Sequence, residues 1–434
     1  AAPQELSRGG TKFAFDNLSI NHHTLVFRHP ISPLIYIAPE NYLQYFGCPE
    51  FQGQISRCLL RALPGHNLAL AFTHWLEKFD EYRRKYPDLA DQLNLMQNRR
   101  LPAGWDKDLP VFPADTKGTA SRVSSGKVLN AIAKNVPWLM GGSADLAPST
   151  KTLLSFEGAG DLSAENPGGR NLHFGIREHA MGGILNGMAL SNIRPYGATF
   201  LIFSDYARPV IRLGALMELP VIYIFTHDSI SLGEDGPTHQ PIEHLASLRA
   251  MPCLITIRPA DANEVVEAWR VIMKLRNRPA ALMLSRQSLP TLDRTKYAPA
   301  SGLANGAYVL ADAKDNKPDV LLLSTGSEVS LCIEAFEVLK REGINARVVS
   351  IPSWELFEEQ DQEYHDSVLP PSVTARVAVE EASTLGWERY VGSGQIIGMH
   401  RFGASAPFKD LQKNFGFTVE RIVAAAKAEI DKKI

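Results

Sequence analysis

The residues best suited to chemistry lie in a series of clusters between Gly141 and Ser288: GGSADLAPST (Gly141 to Thr150), HFGIREHAM (His173 to Met181), YGATFLIFSDYAR (Tyr196 to Arg208), THDSISLGEDGPTHQP (Thr226 to Pro241) and LSRQS (Leu284 to Ser288). Each sits in or beside a loop that follows a short apolar run. Phe200, Phe203 and Tyr206 recur at steps of three, which puts their side chains on one face of a helical turn, where they could clasp a flat heterocycle. Taken alone, such a triplet more often packs into a core. Glu178 stands where a helix begins, a place the helix dipole favours for a carboxylate. Arginine forks such as those of Arg122 and Arg286 suit bidentate contacts to phosphate, and the imidazoles of His227 and His239 can move protons near neutral pH. A lone Arg or His is usually solvated or structural, so their weight lies in occurring together.

The elements that must hold these clusters read as alternating strands and helices. Apolar runs at Trp138–Met140, Val221–Phe225, Cys253–Ile257 and Ala280–Leu284 predict strands. Between the last two, Asp261-Ala-Asn-Glu264 reads as a helix cap with an acidic residue three positions on, opening a helix through Val265, Val266, Trp269 and Ile272. Further along, Asp319–Leu323 leads through Ser-Thr-Gly-Ser into a helix with Val329, Cys332, Phe336 and Leu339 on one face and Gly343 at its stop. Strand runs at Ala346–Ile351 and Ala375–Val379 follow, so βαβ units with parallel sheets are expected. In such sheets ligands bind beyond the carboxyl ends of the strands, where the polar loops fall. Residues 71–118 read as a polar amphipathic helix and an extended connector rich in Pro, Asp and Lys, whereas residues 1–70 show no clean period and remain unassigned.

The chain's 434 residues, 45% of them hydrophobic, suffice for two or three domains. A net charge of −2 without a Lys/Arg block argues against a nucleic-acid partner. No apolar run is long enough to span a membrane, and the N-terminus lacks the layout of a signal peptide, so the expectation is a soluble protein. Cys48, Cys58, Cys253 and Cys332 lack CxxC spacing, which points away from zinc or a disulfide framework and toward a reducing, cytoplasmic compartment.

Taken in order, the clusters resemble the transketolase family, from about Trp75 to the C-terminus. The resemblance implies an α/β fold of two doubly wound sheet domains, a pyrimidine-binding domain over 119–309 and a transketolase-type C-terminal domain over 310–434, preceded by the helix and connector of 71–118. It implies thiamine diphosphate as cofactor, sugar phosphates as substrates, and transfer of a two-carbon ketol unit from a ketose phosphate to an aldose phosphate, in pentose phosphate or Calvin-cycle chemistry. Glu178 matches the carboxylate that hydrogen-bonds the aminopyrimidine ring and shifts it to its imino form. Phe200, Phe203 and Tyr206 match the aromatic wall around that ring, and Asp145 a residue near the cofactor at the subunit boundary. Arg122, Ser149, His227 and Arg286 match phosphate-end residues, while Asp235 and His239 match residues that meet the sugar hydroxyls and assist proton transfer.

One departure from the family stands out. GEDG (Gly233 to Gly236) is not the Gly-Asp-Gly…Asn magnesium motif of thiamine enzymes, and His22, His23 and His66 do not sit in contexts matching the family's histidine segments. The Mg2+ and diphosphate site is therefore expected on a separate diphosphate-binding domain, with no metal site on this chain. A homodimer, or complementation by such a domain, follows. The competing expectations are a truncated, non-catalytic dimerisation module and the β-type subunit of a 2-oxoacid dehydrogenase. The GEDGPTHQP and SADLAPST loops argue against the latter.

Overall fold

A computed structural model of the protein describes residues 17–21, 24–29, 32–39 and 66–432. His22, His23, Cys48 and Cys58 lie outside the described residues. The chain divides into two compact units, Ala1–Asp91 and Gln92–Ile434. In the first, β1 (Asn17–Asn21), β2 (Thr24–His29) and β3 (Ser32–Pro39) form an antiparallel sheet, a feature that sequence periodicity does not reveal. The helix His66–Lys85 follows, and Pro87 opens a second one, Pro87–Gln97. The single amphipathic helix expected there is thus two, because proline suits a first helical position but not an interior one.

The second unit contains the predicted α/β architecture as two sheets. The first combines β5 (Leu139–Ser143), β6 (Asn171–His173), β7 (Arg194–Phe200), β8 (Ile222–Thr226), β9 (Ile255–Ile257) and β10 (Ala280–Leu284), in the order β6-β5-β7-β8-β10-β9. All its neighbours pair in parallel. Preceding it in sequence, β4 (Asp115–Ala120) pairs antiparallel with β11 (Ser288–Thr291), so the end of the expected connector is a strand. Only that long-range pairing makes it one. Gly118 is obligatory there, with φ 63° and a virtual Cβ 1.7 Å from the Leu289 carbonyl oxygen.

Helices cover both faces, as a parallel sheet requires. On one face Leu129 and Ile132 of the helix Ser121–Asn135 pack with Val265, Trp269 and Ile272 of the helix Ala262–Lys274 over Tyr196, Ile224 and Leu282. On the other, Met181 and Leu185 of the helix Glu178–Leu190 meet Val210 and Ile211 of the helix Ser204–Leu216 over Tyr223, Phe225 and Met283. The predicted cap forms: the Asp261 carboxylate accepts from the Asn263 and Glu264 amides at 3.0 and 2.8 Å, while Glu264 accepts from Ala260 N at 2.8 Å.

The second sheet runs β12-β14-β13-β15-β16, from β12 (Tyr308–Ala311), β13 (Val320–Ser324), β14 (Ala346–Ser350), β15 (Arg376–Ser383) and β16 (Gln395–Met399), with only β12 antiparallel. Val329, Cys332, Phe336 and Leu339 of the helix Glu328–Arg341 enter its core, and Gly343, at φ 81°, ends that helix as the sequence indicates.

Arg258, just past β9, joins the two sheets. Its Nε donates to Asp228 Oδ2 at 2.8 Å, Nη1 to the Thr325 carbonyl at 3.0 Å and Nη2 to Ser327 Oγ at 3.2 Å. Both Nη atoms also reach the Glu328 carboxylate. These side chains are almost wholly buried, and the surrounding carboxylates hold the guanidinium firmly in its charged form. At Gly326 a virtual Cβ would lie 2.5 Å from Arg258 Cζ, so a side chain there is incompatible with the clasp.

Trp269 is the largest side chain buried in the first sheet's core, and its Nε1 donates to Ser125 Oγ at 2.9 Å. Trp269→Ala is expected to cost about 3–5 kcal/mol, from lost burial plus the cavity left behind. Urea unfolding measures this, and a loss well under about 1 kcal/mol would contradict this packing.

Candidate active site

The strand order places the predicted residues before any side chain is considered. β5, β7, β8 and β10 are parallel neighbours, so the loops leaving their carboxyl ends share one edge of the sheet. Those loops carry Asp145 and Ser149 after β5, Phe203 and Tyr206 after β7, His227, Asp235 and His239 after β8, and Arg286 after β10. The chain leaves β5 outward to β6 and then returns to β7 on the other side of β5. This topological switch opens a crevice, the usual ligand position in such sheets.

The aromatic triplet spans three kinds of backbone: Phe200 closes β7, Phe203 lies in a short 3-10 turn, and Tyr206 lies in the first turn of Ser204–Leu216. Their rings nevertheless form a stepped stack, with centroids 6.0 Å apart for Phe200–Phe203 and 6.1 Å for Phe203–Tyr206. Exposure rises along it, from buried Phe200 to Tyr206, which is 64% exposed. His227 stacks on Phe200 at 3.7 Å, and His239 stands edge-on to Phe200 and Phe203 at 6.4 and 5.8 Å. Glu178 begins its helix buried near the end of β7, where Thr199 Oγ1 donates to its Oε1 at 3.4 Å.

His227 is the most perturbed of these groups. Its backbone is left-handed, φ 59°, which is uncommon without glycine and lets the ring turn back onto Phe200. Thr226 Oγ1 lies 2.8 Å from Nδ1, leaving Nε2 as the ring atom available to a ligand. Burial, helped by the charges of Arg122 and Arg286 and by His239, pushes its pKa down to about 3. Arg122 donates from Nη1 to the Ser149 carbonyl at 2.6 Å, and burial together with Arg286 lowers its own pKa. Thr238 Oγ1 similarly meets His239 Nδ1 at 3.0 Å.

The structure therefore brings Phe200, Phe203, Tyr206, His227 and His239 into ring contact, sets Arg122 and Arg286 within electrostatic reach of His227, and joins Glu178 to the same strand end. Asp145 (φ 61°) and Asp235 occupy exposed positions in the segments that follow β5 and β8. Thr199 and Thr226, which orient Glu178 and His227, were not evident in the sequence. Only their place directly before an aromatic or histidine at a strand end could have suggested them. Among the described residues no group of three or more His, Cys, Asp or Glu could hold a metal ion, and Cys253 and Cys332 are free. No described helix is long and apolar enough to cross a membrane.

A doubly wound parallel sheet with an aromatic stack, a buried glutamate and two arginines gathered near its switch point places the chain among α/β proteins whose ligand crevice lies at the carboxyl ends of the strands. Residues 117–291 match the transketolase pyrimidine-binding domain, and residues 306–418 match the transketolase-like C-terminal domain. The chain belongs to the transketolase family. It is 54% identical over 361 residues to transketolase of Halalkalibacterium halodurans, covering 83% of this chain and 54% of that protein. Transketolase from Leishmania mexicana superposes with a TM-score of 0.79 at 40% identity, over 84% of this chain and 53% of that one. An inactive β4 tetramer of a split-gene transketolase superposes at 0.59 and 26% identity, over 72% of this chain and 99% of that one. The chain thus spans about half the length of the curated relatives it matches.

The His227 environment has a thermodynamic consequence. Its folded pKa of about 3 lies below the ordinary value of about 6.5, so between the two the unfolded chain binds the extra proton. Stability is full above about pH 6.5 and is lost as pH falls through that window, at up to about 1.4 kcal/mol per pH unit. Urea unfolding at successive pH values should show a shallower acid loss for His227→Gln than for the wild type. Parallel curves would mean that His227 titrates normally.

Proposed function

We propose that this chain supplies the pyrimidine-side and substrate-side residues for transfer of a two-carbon ketol unit from a ketose phosphate to an aldose phosphate. The observation that carries the reading is the convergence, at one sheet edge, of the aromatic stack, Glu178 and the cationic group around His227. In this reading residues 119–309 form the pyrimidine-binding domain and 310–434 the C-terminal domain, with 71–118 as connector. The setting is sugar-phosphate exchange in a reducing, cytoplasmic-type compartment.

The residues present fit thiamine diphosphate's aminopyrimidine. The stepped rings of Phe200, Phe203 and Tyr206 offer a flat apolar wall, and the Glu178 carboxylate at the same strand end can accept a hydrogen bond from a ring nitrogen. When bound, the cofactor supplies a nucleophilic carbon and an electron sink. Asp145 would border the ring at the subunit boundary. Neutral His227 offers Nε2 to a substrate oxygen without adding charge beside Arg122 and Arg286, and His239 moves protons at the sugar hydroxyls that Asp235 binds. Arg122, Arg286 and Ser149 receive the phosphate end. We assign Mg2+ and the diphosphate to a separate diphosphate-binding domain, whether on another polypeptide or elsewhere in a longer one.

Self-association is the other half of the proposal. The helices Glu178–Leu190 and Ser204–Leu216 are tightly joined: Asn186 Nδ2 donates to the Val210 carbonyl at 3.0 Å. Their outer face leaves Ile184, Leu190, Leu213 and Leu216 exposed, with Ile176 just before. A paired apolar face beside the cofactor wall suits a two-fold contact between copies of this chain.

The functional test is a coupled assay with xylulose 5-phosphate, ribose 5-phosphate, thiamine diphosphate and magnesium, with and without an added diphosphate-binding domain. Turnover is expected with that domain, and Glu178→Ala should lower kcat by roughly 10²–10⁴-fold. Silence in both arrangements would favour a non-catalytic dimerisation module. For assembly, Ile184→Asp with Leu216→Asp should convert a dimer to monomer in analytical ultracentrifugation, and an unchanged sedimentation coefficient would sink that interface.

A further inference from the structure

His227 is followed in the chain by Asp228 and Ser229, and both are held from the second sheet. Asp228 Oδ2 accepts from Arg258 Nε at 2.8 Å, and that same guanidinium is anchored on Thr325, Ser327 and Glu328 at the carboxyl end of β13. Ser229 Oγ donates to Glu381 Oε2 at 2.9 Å. Glu381, on β15, is in turn fixed by Gln412 Nε2 at 2.7 Å, and its amide donates to Glu328 Oε2 at 3.0 Å. Asp228, Ser229, Arg258, Glu328 and Glu381 are all nearly or fully buried. Two successive residues are thus tethered by separate, interlinked anchors immediately after a residue with left-handed backbone.

We infer that Arg258 and Glu381 are positioning residues, through which the second sheet holds the His227 ring against Phe200 with Nε2 toward the substrate edge. The inference deepens the substrate-end role proposed above for His227 and rests on it. The physical case is one of competing costs. A histidine at φ 59° stores strain of roughly 1–3 kcal/mol, which persists only where the surroundings over-determine it. Thr226 constrains the ring from one side, through Nδ1 at 2.8 Å. The following backbone would be free to relax toward an ordinary conformation without the Asp228 and Ser229 tethers. Relaxation would swing the ring off Phe200 and out of the burial that, with Arg122, Arg286 and His239 beside it, keeps it neutral. The second sheet's own switch point, between β13 and β15, is then occupied by a side chain from the first sheet's domain and serves to fix geometry at the other edge.

The test reads the His227 ring itself, in the intact chain without ligand, by histidine ¹⁵N NMR across pH, with the signals assigned by their absence in His227→Gln. Arg258→Lys keeps a buried cation but cannot form the forked set of contacts. The His227 midpoint should then rise by roughly one pH unit or more toward the ordinary value of about 6.5, with its nitrogen shifts moving toward a mixture of tautomers. Ser229→Ala, a smaller lesion that leaves Arg258 whole, should move the same signals the same way by less. Arg347→Lys is the control: it breaks the bidentate pair with Asp312 at the amino end of β14 and should lower stability without moving His227. Wild-type His227 shifts and midpoint in both Arg258→Lys and Ser229→Ala would overturn the inference, as would an equal shift in Arg347→Lys. Should Arg258→Lys fail to fold, Ser229→Ala decides alone. No turnover enters this readout, so loss of the ketol-transfer reading would leave the positional result standing, and the converse holds too.

Discussion

The guanidinium of Arg258 is the contact on which the rest of the second unit's geometry depends. Burying a cation costs several kcal/mol unless its donors are met, and here each nitrogen finds an acceptor, split between Asp228, which follows β8 of the first sheet, and Thr325, Ser327 and Glu328, which follow β13 of the second. Such a cluster is no guarantee of stability, since apolar substitutes of similar volume often do as well. It does impose direction. A planar fork with several fixed acceptors admits one arrangement of the two sheets, whereas interleaved Leu and Val side chains admit several of similar energy.

A neighbouring pair repeats the logic with a different partner set. Arg249 grips Glu380 through two hydrogen bonds of 2.9 and 2.8 Å, lies over the Trp354 ring at 3.9 Å, and shares Glu380 with Trp387 Nε1 at 2.7 Å. Adjacent residues of β15, Glu380 and Glu381, therefore receive contacts from different segments of the first sheet's domain. The two sheets meet through charged and hydrogen-bonded groups near the carboxyl ends of β13 and β15. In doubly wound sheets that crevice commonly holds a ligand. Here it holds protein, the side chain of Arg258 with its acceptors.

Much of this was legible because local rules and the tertiary structure agree. The Asp261 cap and the glycine stop at Gly343 are short-range features whose hydrogen bonds close within a few residues, and the strand at Ala280–Leu284 is an unbroken apolar run, so residue type and spacing suffice to find them. Other elements could not be found that way. β4 exists because Ser288–Thr291 lies beside it, more than a hundred residues away in the chain, and DTKGTA carries no strand pattern of its own. Arg258 followed an apolar run like any basic loop residue, and nothing in its neighbours announced that Glu328 would meet it.

For the site, the sequence alone established the residue types and the chain order of the loops: an acid opening a helix, three aromatics at steps of three, and arginines and histidines after successive apolar runs. Those are properties of the chain. Only the tertiary structure decided that β5, β7, β8 and β10 stand side by side, so that loops far apart in sequence share one edge, and that His227 stacks on Phe200 rather than facing water. The same is true of its lowered pKa, which burial sets first and which Arg122 and Arg286, arriving from before β5 and after β10, deepen. Strand order and buried electrostatics are long-range quantities, set by which surfaces exclude water together, and no local pattern of residues encodes them.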